Sequence, residues 1–153
     1  SVHEGPCLFP YVPGLLSFRE IPPLLEAWKK LRTKPDLVLM DGHGVAHPRG
    51  IGLASHFGLA LGVPAVGCAK SPLFGECSEP GPRRGDTAPI RHSNGRTIGA
   101  VVRTRDGTKP LFVSPGHLVS LAKSVSFTLS CSPRFRIPEP LRAAHRIAGT
   151  GRL

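Results

Sequence analysis

Asp36-Leu37-Val38-Leu39-Met40-Asp41-Gly42-His43-Gly44-Val45-Ala46-His47-Pro48-Arg49-Gly50 is the stretch on which the fold turns. Leu37 to Met40 is a short apolar run of the kind that forms a buried strand, and Ile51 to Leu61 reads as a helix. Between them, Asp41 is followed by glycines, two histidines and an arginine. An open α/β sheet places its chemistry at the carboxyl ends of its strands, so Asp41 is the first candidate for a metal ligand. An Asp in a tight strand-to-helix turn is the plainer alternative.

Outward from this stretch, strands and helices alternate, which indicates a layered α/β domain. Upstream, Pro10 to Gly14 reads as a rigid turn and Leu15 to Glu20 as about a turn and a half of helix. Pro22 is expected to restart the chain, with Leu24, Leu25, Trp28 and Leu31 on one face of a second helix. Downstream, Val63 to Cys68 reads as a second buried strand. The 17 prolines and 18 glycines punctuate the elements sharply, and Ser71 to Arg91 reads as a polar loop with no period. Thr97 to Thr104 and Pro110 to Ser114 form a hairpin about Asp106-Gly107. Leu118 to Leu129 and Pro138 to Ile147 are the last helices.

The chain of 153 residues is read as one domain, with a core of real size. No apolar run reaches the ~18 residues of a membrane span. The start, Ser1-Val2-His3-Glu4-Gly5-Pro6, is not a signal peptide and lacks an initiator methionine, as a mature product or a fragment does. Cys7, Cys68, Cys77 and Cys131 form no C-x-x-C pair, so neither structural zinc nor a disulfide scaffold is expected, and a reducing cytoplasm is the default. Twenty Lys and Arg against 10 Asp and Glu give a charge of +10. That favours a polyanionic partner, most simply nucleic acid, although basic surfaces also serve solubility.

Glu20, Asp41 and His145 stand out as acidic or imidazole positions. Phosphodiester hydrolysis with metal ions needs carboxylates converging from different elements. Glu20 is otherwise a solvated helix-end carboxylate. His43 and His47 are four apart, but the glycines and proline around them argue against an H-E-x-x-H zinc helix. Contacts to phosphate suit them better. Arg49 lies beside a helix N-terminus, which already favours anions. Lys70, after the second strand, is placed to meet a phosphate oxygen, or is a surface lysine. Ser114-Pro115-Gly116-His117 reads as a turn in which Ser114 caps the next helix and His117 lies near the site. Tyr11, held between Pro10 and Pro13, can stack on or wedge between bases, or pack within its turn. There is no Walker or Rossmann phosphate loop and no G-x-S-x-G elbow.

Together these pieces resemble the endonuclease V family. The matching stretches are Pro10-Tyr11-Val12-Pro13-Gly14 through Phe18-Arg19-Glu20, Asp41-Gly42-His43-Gly44 through His47-Pro48-Arg49-Gly50, and Gly67-Cys68-Ala69-Lys70-Ser71. Ser114-Pro115-Gly116-His117 and Arg136-Ile137-Pro138-Glu139-Pro140 complete the set. The resemblance covers most of the chain and implies an RNase H-like α/β fold, a mixed sheet with flanking helices. It implies a Mg²⁺-dependent endonuclease, Mn²⁺ being an alternative ion. Such an enzyme cuts inosine-containing DNA or RNA at the second phosphodiester bond on the 3′ side of the base. By the same resemblance, Glu20 and Asp41 are metal ligands, and His145 and Lys70 are further active-site groups. His47, Arg49 and His117 lie near the strand, with Pro10, Tyr11 and Pro13 forming the wedge. Gly14, Gly52 and Leu73 line a main-chain pocket for the flipped base.

One departure stands out. The family's first catalytic Asp lies on a strand ahead of the Pro-Tyr motif, whereas here the residues before Tyr11 contain Glu4 and no Asp. The chain is therefore expected to be an N-terminally truncated member lacking the initial strands, with an unpaired sheet edge. The alternative function is a non-catalytic inosine-binding module.

Overall fold

The computed structural model describes residues 1–6, 9, 10, 12 and 14–150. In chain order the elements are α1 (Leu16–Lys29), β1 (Val38–Met40), α2 (Leu53–Leu61), β2 (Ala65–Ala69), β3 (Glu76–Cys77), β4 (Thr87–Arg91), β5 (Thr97–Val102), β6 (Leu111–His117), α3 (Leu121–Ser130) and α4 (Glu139–Thr150). The strands form one mixed sheet in the order β1-β2-β6-β5-β4-β3. The β1–β2 pair is parallel, which its helical crossover α2 requires. All other pairs are antiparallel.

Side-chain alternation along β1 and β2 sorts the core into two layers. Val38, Met40 and Ala65 face one side, against Ile21, Leu24, Leu25 and Trp28 of α1 and Leu53, Ala54 and Phe57 of α2. Leu37, Leu39, Val66 and Cys68 face the other, with Leu121, Val125 and Leu129 of α3 and Leu141 of α4. Farther along the sheet, Val45 and Ala46 of the loop after β1 join Phe74 over Ile90, Ile98, Val101 and Phe112. That loop is thereby pinned, which fixes the residues it carries.

The structure departs from the sequence reading in three places. Pro22 and Pro23 lie inside a single helix, α1. Each ring removes one donor and strains the turn, but the helix runs on because Ile21, Leu24, Leu25 and Trp28 bury against α2 and β1. Ser71 to Arg91 is not wholly loop: it holds β3 and β4. Pro89 hid β4, yet β3 pairs only with Ile90 and Arg91, so Pro89 occupies a stretch of β4 free on that side, where its missing N–H costs no ladder bond. Ser114 to His117 is not a turn but the end of β6. Pro115 is accommodated where the β2–β6 register shifts, between Ala65 and Val66. The next helix accordingly starts at Leu121, and its cap is Ser120, whose side chain accepts from the Lys123 N–H.

Candidate functional site

The site lies at the carboxyl ends of β1 and β2. Met40 pairs with Gly67 in the parallel register, so Asp41 and Lys70 leave the sheet side by side. Lys70 Nζ donates to Asp41 Oδ2 at 2.7 Å, and His145 Nε2 of α4 lies 2.8 Å from the same oxygen. Three separate elements thus converge on one carboxylate. All three side chains stay within reach of solvent, Asp41 at 31%, Lys70 at 44% and His145 at 50% exposure. The cluster is therefore half-exposed rather than a buried ion pair.

Glu20 comes to this group from α1. Its carboxyl is pushed above the usual range, first by burial, then by the negative charge of Asp41, with Arg19 acting in the opposite sense. A carboxyl whose ionisation is opposed by a neighbouring carboxylate is relieved by a cation placed beside it. Among the described residues no group of three or more His, Cys, Asp or Glu is arranged to hold a metal ion. The Glu20–Asp41 pair nevertheless suits Mg²⁺, which takes one or two protein carboxylates and fills its shell with water and substrate oxygens. Oxygen donors serve Mn²⁺ equally well.

Close backbone packing holds the loop after β1 against β2. A Cβ on Gly67 would sit 2.4 Å from the Gly44 nitrogen, and one on Gly52 2.4 Å from the His43 carbonyl oxygen. Gly44 N–H donates to Ser114 Oγ at 2.8 Å, so Ser114 ties β6 to this loop. The ring of His43 hydrogen-bonds the backbone of Ser71, next to Lys70, and burial pulls its pKa down. Its Nδ1 is buried with no hydrogen-bond partner among the described residues. His47 is 8% exposed. Its Nδ1 accepts from the Arg49 N–H at 3.2 Å. Burial, then the charge of Arg49, lowers its pKa. Arg49 Nη1 donates to the Gly14 carbonyl at 2.9 Å, which fastens the segment before α1 to the loop after β1.

The structure therefore brings Glu20, Asp41, Lys70 and His145 together, and separately joins Arg49 with Gly14. Gly52 packs on His43 as the N-cap of α2. Leu73 lies on the loop beyond Lys70 and is 53% exposed. Pro10 is exposed. Tyr11 and Pro13 lie outside the described residues. His117 pairs with Ala65 at the opposite end of β2, about five residues or ~16 Å of strand from Lys70, and is not brought to Asp41. Sequence reasoning gave no part to Arg136. Its guanidinium donates to the carbonyls of Lys109, Pro110 and Lys70 at 2.6, 2.9 and 3.2 Å. Its signal in the sequence was its place at the head of the matching stretch Arg136-Ile137-Pro138-Glu139-Pro140, which carried no role for the side chain.

A family model described as Endonuclease V matches residues 1–146. Endonuclease V of Myxococcus xanthus is 53% identical over 139 residues, covering 91% of this chain and 59% of that relative. The crystal structure of endonuclease V from Streptomyces avermitilis superposes with a TM-score of 0.90 at 46% identity, over 95% of this chain and 63% of that one. Ciona intestinalis endonuclease V, solved in complex with DNA containing an inosine followed by a ribo-adenosine, gives a TM-score of 0.78 at 27% identity. That match covers 94% of this chain and 67% of the other. The chain spans about three fifths of the length of the curated relatives it matches.

Proposed function

Since the chain belongs to the endonuclease V family, we propose that it is a Mg²⁺-dependent endonuclease. It cuts DNA or RNA on the 3′ side of inosine, at the second phosphodiester bond, in repair or in turnover of deaminated strands. One observation carries this reading. Lys70 and His145 meet on a single oxygen of Asp41, and the charge of Asp41 raises the Glu20 carboxyl beside it.

A bound Mg²⁺ supplies Lewis acidity toward the phosphate and a more acidic attacking water. Glu20 and Asp41 would hold it. Lys70 stands with its ammonium on Asp41 and offsets charge gathering on the phosphate. His145, on the same oxygen, fixes the orientation of that carboxylate. Arg49, braced by His47 and Gly14, meets the neighbouring phosphate. Tyr11, between Pro10 and Pro13, fills the gap left by the flipped base. Gly14, Gly52 and Leu73 present main-chain groups to the hypoxanthine edge. His117 is given no part, because it lies at the far end of β2. The described cysteines, Cys68, Cys77 and Cys131, are free, and the proposed location is the cytoplasm. No described helix is long and apolar enough to cross a membrane.

A second reading is an inosine-binding module that does not cut. Matched strands carrying inosine or adenosine, with Mg²⁺ or with a chelator, test the proposal. Products that appear only with inosine and Mg²⁺ and map to the second bond 3′ of the base support it. Equal cutting of both strands overturns it, and inosine-selective retention without product favours the second reading.

A further inference from the structure

We propose that Arg136 is the positioning residue of this site, a guanidinium wedge that sets Lys70 and the helix carrying His145 against the same carboxylate oxygen. The ladder between β2 and β6 ends at the pair Ala69–Phe112. One step farther the strands part, and at Pro110 the chain has no N–H to offer. Two strand ends then present carbonyls to each other with no donor between them. Arg136 fills that place: Nη2 lies 2.9 Å from the Pro110 oxygen and 3.2 Å from the Lys70 oxygen, while Nε donates to Lys109 at 2.6 Å. The planar fork of arginine reaches all three, which a lysine ammonium on a flexible stem does not.

The wedge is itself fixed. The buried Thr104 hydroxyl donates to the Arg136 carbonyl at 2.6 Å. The Glu139 N–H donates to Cys131 at 2.7 Å, which closes the segment between α3 and α4. Three residues after Arg136, α4 begins and delivers His145 to Asp41. A single side chain therefore holds the backbone of one partner of Asp41 and stands at the root of the helix bearing the other. Its action on the reaction is indirect, through Lys70.

Trace acetylation of the folded chain, read residue by residue by mass spectrometry, tests this with the protein as it stands. Lys70, held on Asp41, should label slowly relative to exposed Lys123. In Arg136→Lys and Arg136→Ala its labelling relative to Lys123 should rise about three-fold, the scale of a half-exposed ion pair, and Asp41→Asn should reproduce the rise. A lysine at 136 keeps the charge, so a rise there isolates the fork from simple electrostatics. Unchanged labelling of Lys70 in both Arg136 variants overturns the proposal. So does an equal rise at every lysine in both, the mark of a general loss of packing. The consequence for cleavage rests on the nuclease reading, but the labelling does not. If Lys70 responds and no inosine strand is cut, the nuclease reading fails and the placement stands.

Discussion

At the scale of the residue, Asp41 is a carboxylate with one oxygen already engaged twice. Lys70→Met removes a cation from beside the phosphate while leaving Asp41 and Glu20 in place. Cleavage of an inosine strand should fall by about 10²-fold under single-turnover conditions, with little change in strand binding. Loss of binding in step with rate would place Lys70 in general attraction instead. His47 acts differently, since its neutral Nδ1 accepts the Arg49 N–H and burial holds its pKa below 6.5. The unfolded chain takes up that proton first as pH falls. The stability His47 contributes is therefore whole above pH 6.5 and is lost as pH drops toward the lowered folded value. In His47→Asn the amide oxygen keeps the acceptor and loses the titration. The melting temperature of that variant should fall less steeply with acid than that of the parent, and identical slopes would rule His47 out as the source.

Elements decided by local pattern were legible in the sequence, and elements decided by distant partners were not. β1, α2, β2 and the β5–β6 hairpin follow from apolar runs bounded by glycine and proline. The continuation of α1 through Pro22 and Pro23, and β4 around Pro89, depend on what lies alongside, which a proline-based reading misses. The same holds in the site. Asp41 and Lys70 were visible as residue types at strand ends and Glu20 and His145 as an acidic and an imidazole position on helices, and the structure brings them together. Arg136 was visible as the first residue of a matching stretch, but its role was not, because its partners are backbone carbonyls from two distant loops, and carbonyls leave no mark on a sequence. Arg103 is a parallel case. It is 6% exposed, bonds Glu79 at 2.9 Å, Pro80 at 3.0 Å and Gly81 at 3.0 Å, and also reaches the Thr108 carbonyl. It orders a segment that reads as shapeless loop. Arg103→Met strands those carbonyls and should cost about 3 kcal/mol in urea unfolding; a loss near zero would mean that water serves them as well. Gly67→Ala drives a methyl group into the backbone of Gly44 and should cost about 2 kcal/mol, with cleavage lost along with the geometry of the Asp41 loop.

At the scale of the whole molecule, a charge of +10 supplies attraction for a strand but no preference among bases. Binding of a plain single strand should weaken with salt, the logarithm of affinity falling by about 0.7 per logarithm of salt for each phosphate contacted. The margin for inosine over adenosine should hold across the same titration, because the proposed function assigns it to backbone groups around Gly14 and Gly52 and not to counterions. A margin that shrinks with salt would assign discrimination to charge. The central claim is that the Asp41 cluster cuts beside inosine. Its most direct test is Mg²⁺-dependent cleavage of matched inosine-containing single-stranded DNA and RNA by this chain beside its Asp41→Ala variant. The account predicts cleavage by the parent and none by the variant. Cleavage by both at the same rate, or by neither while both bind inosine selectively, would contradict it.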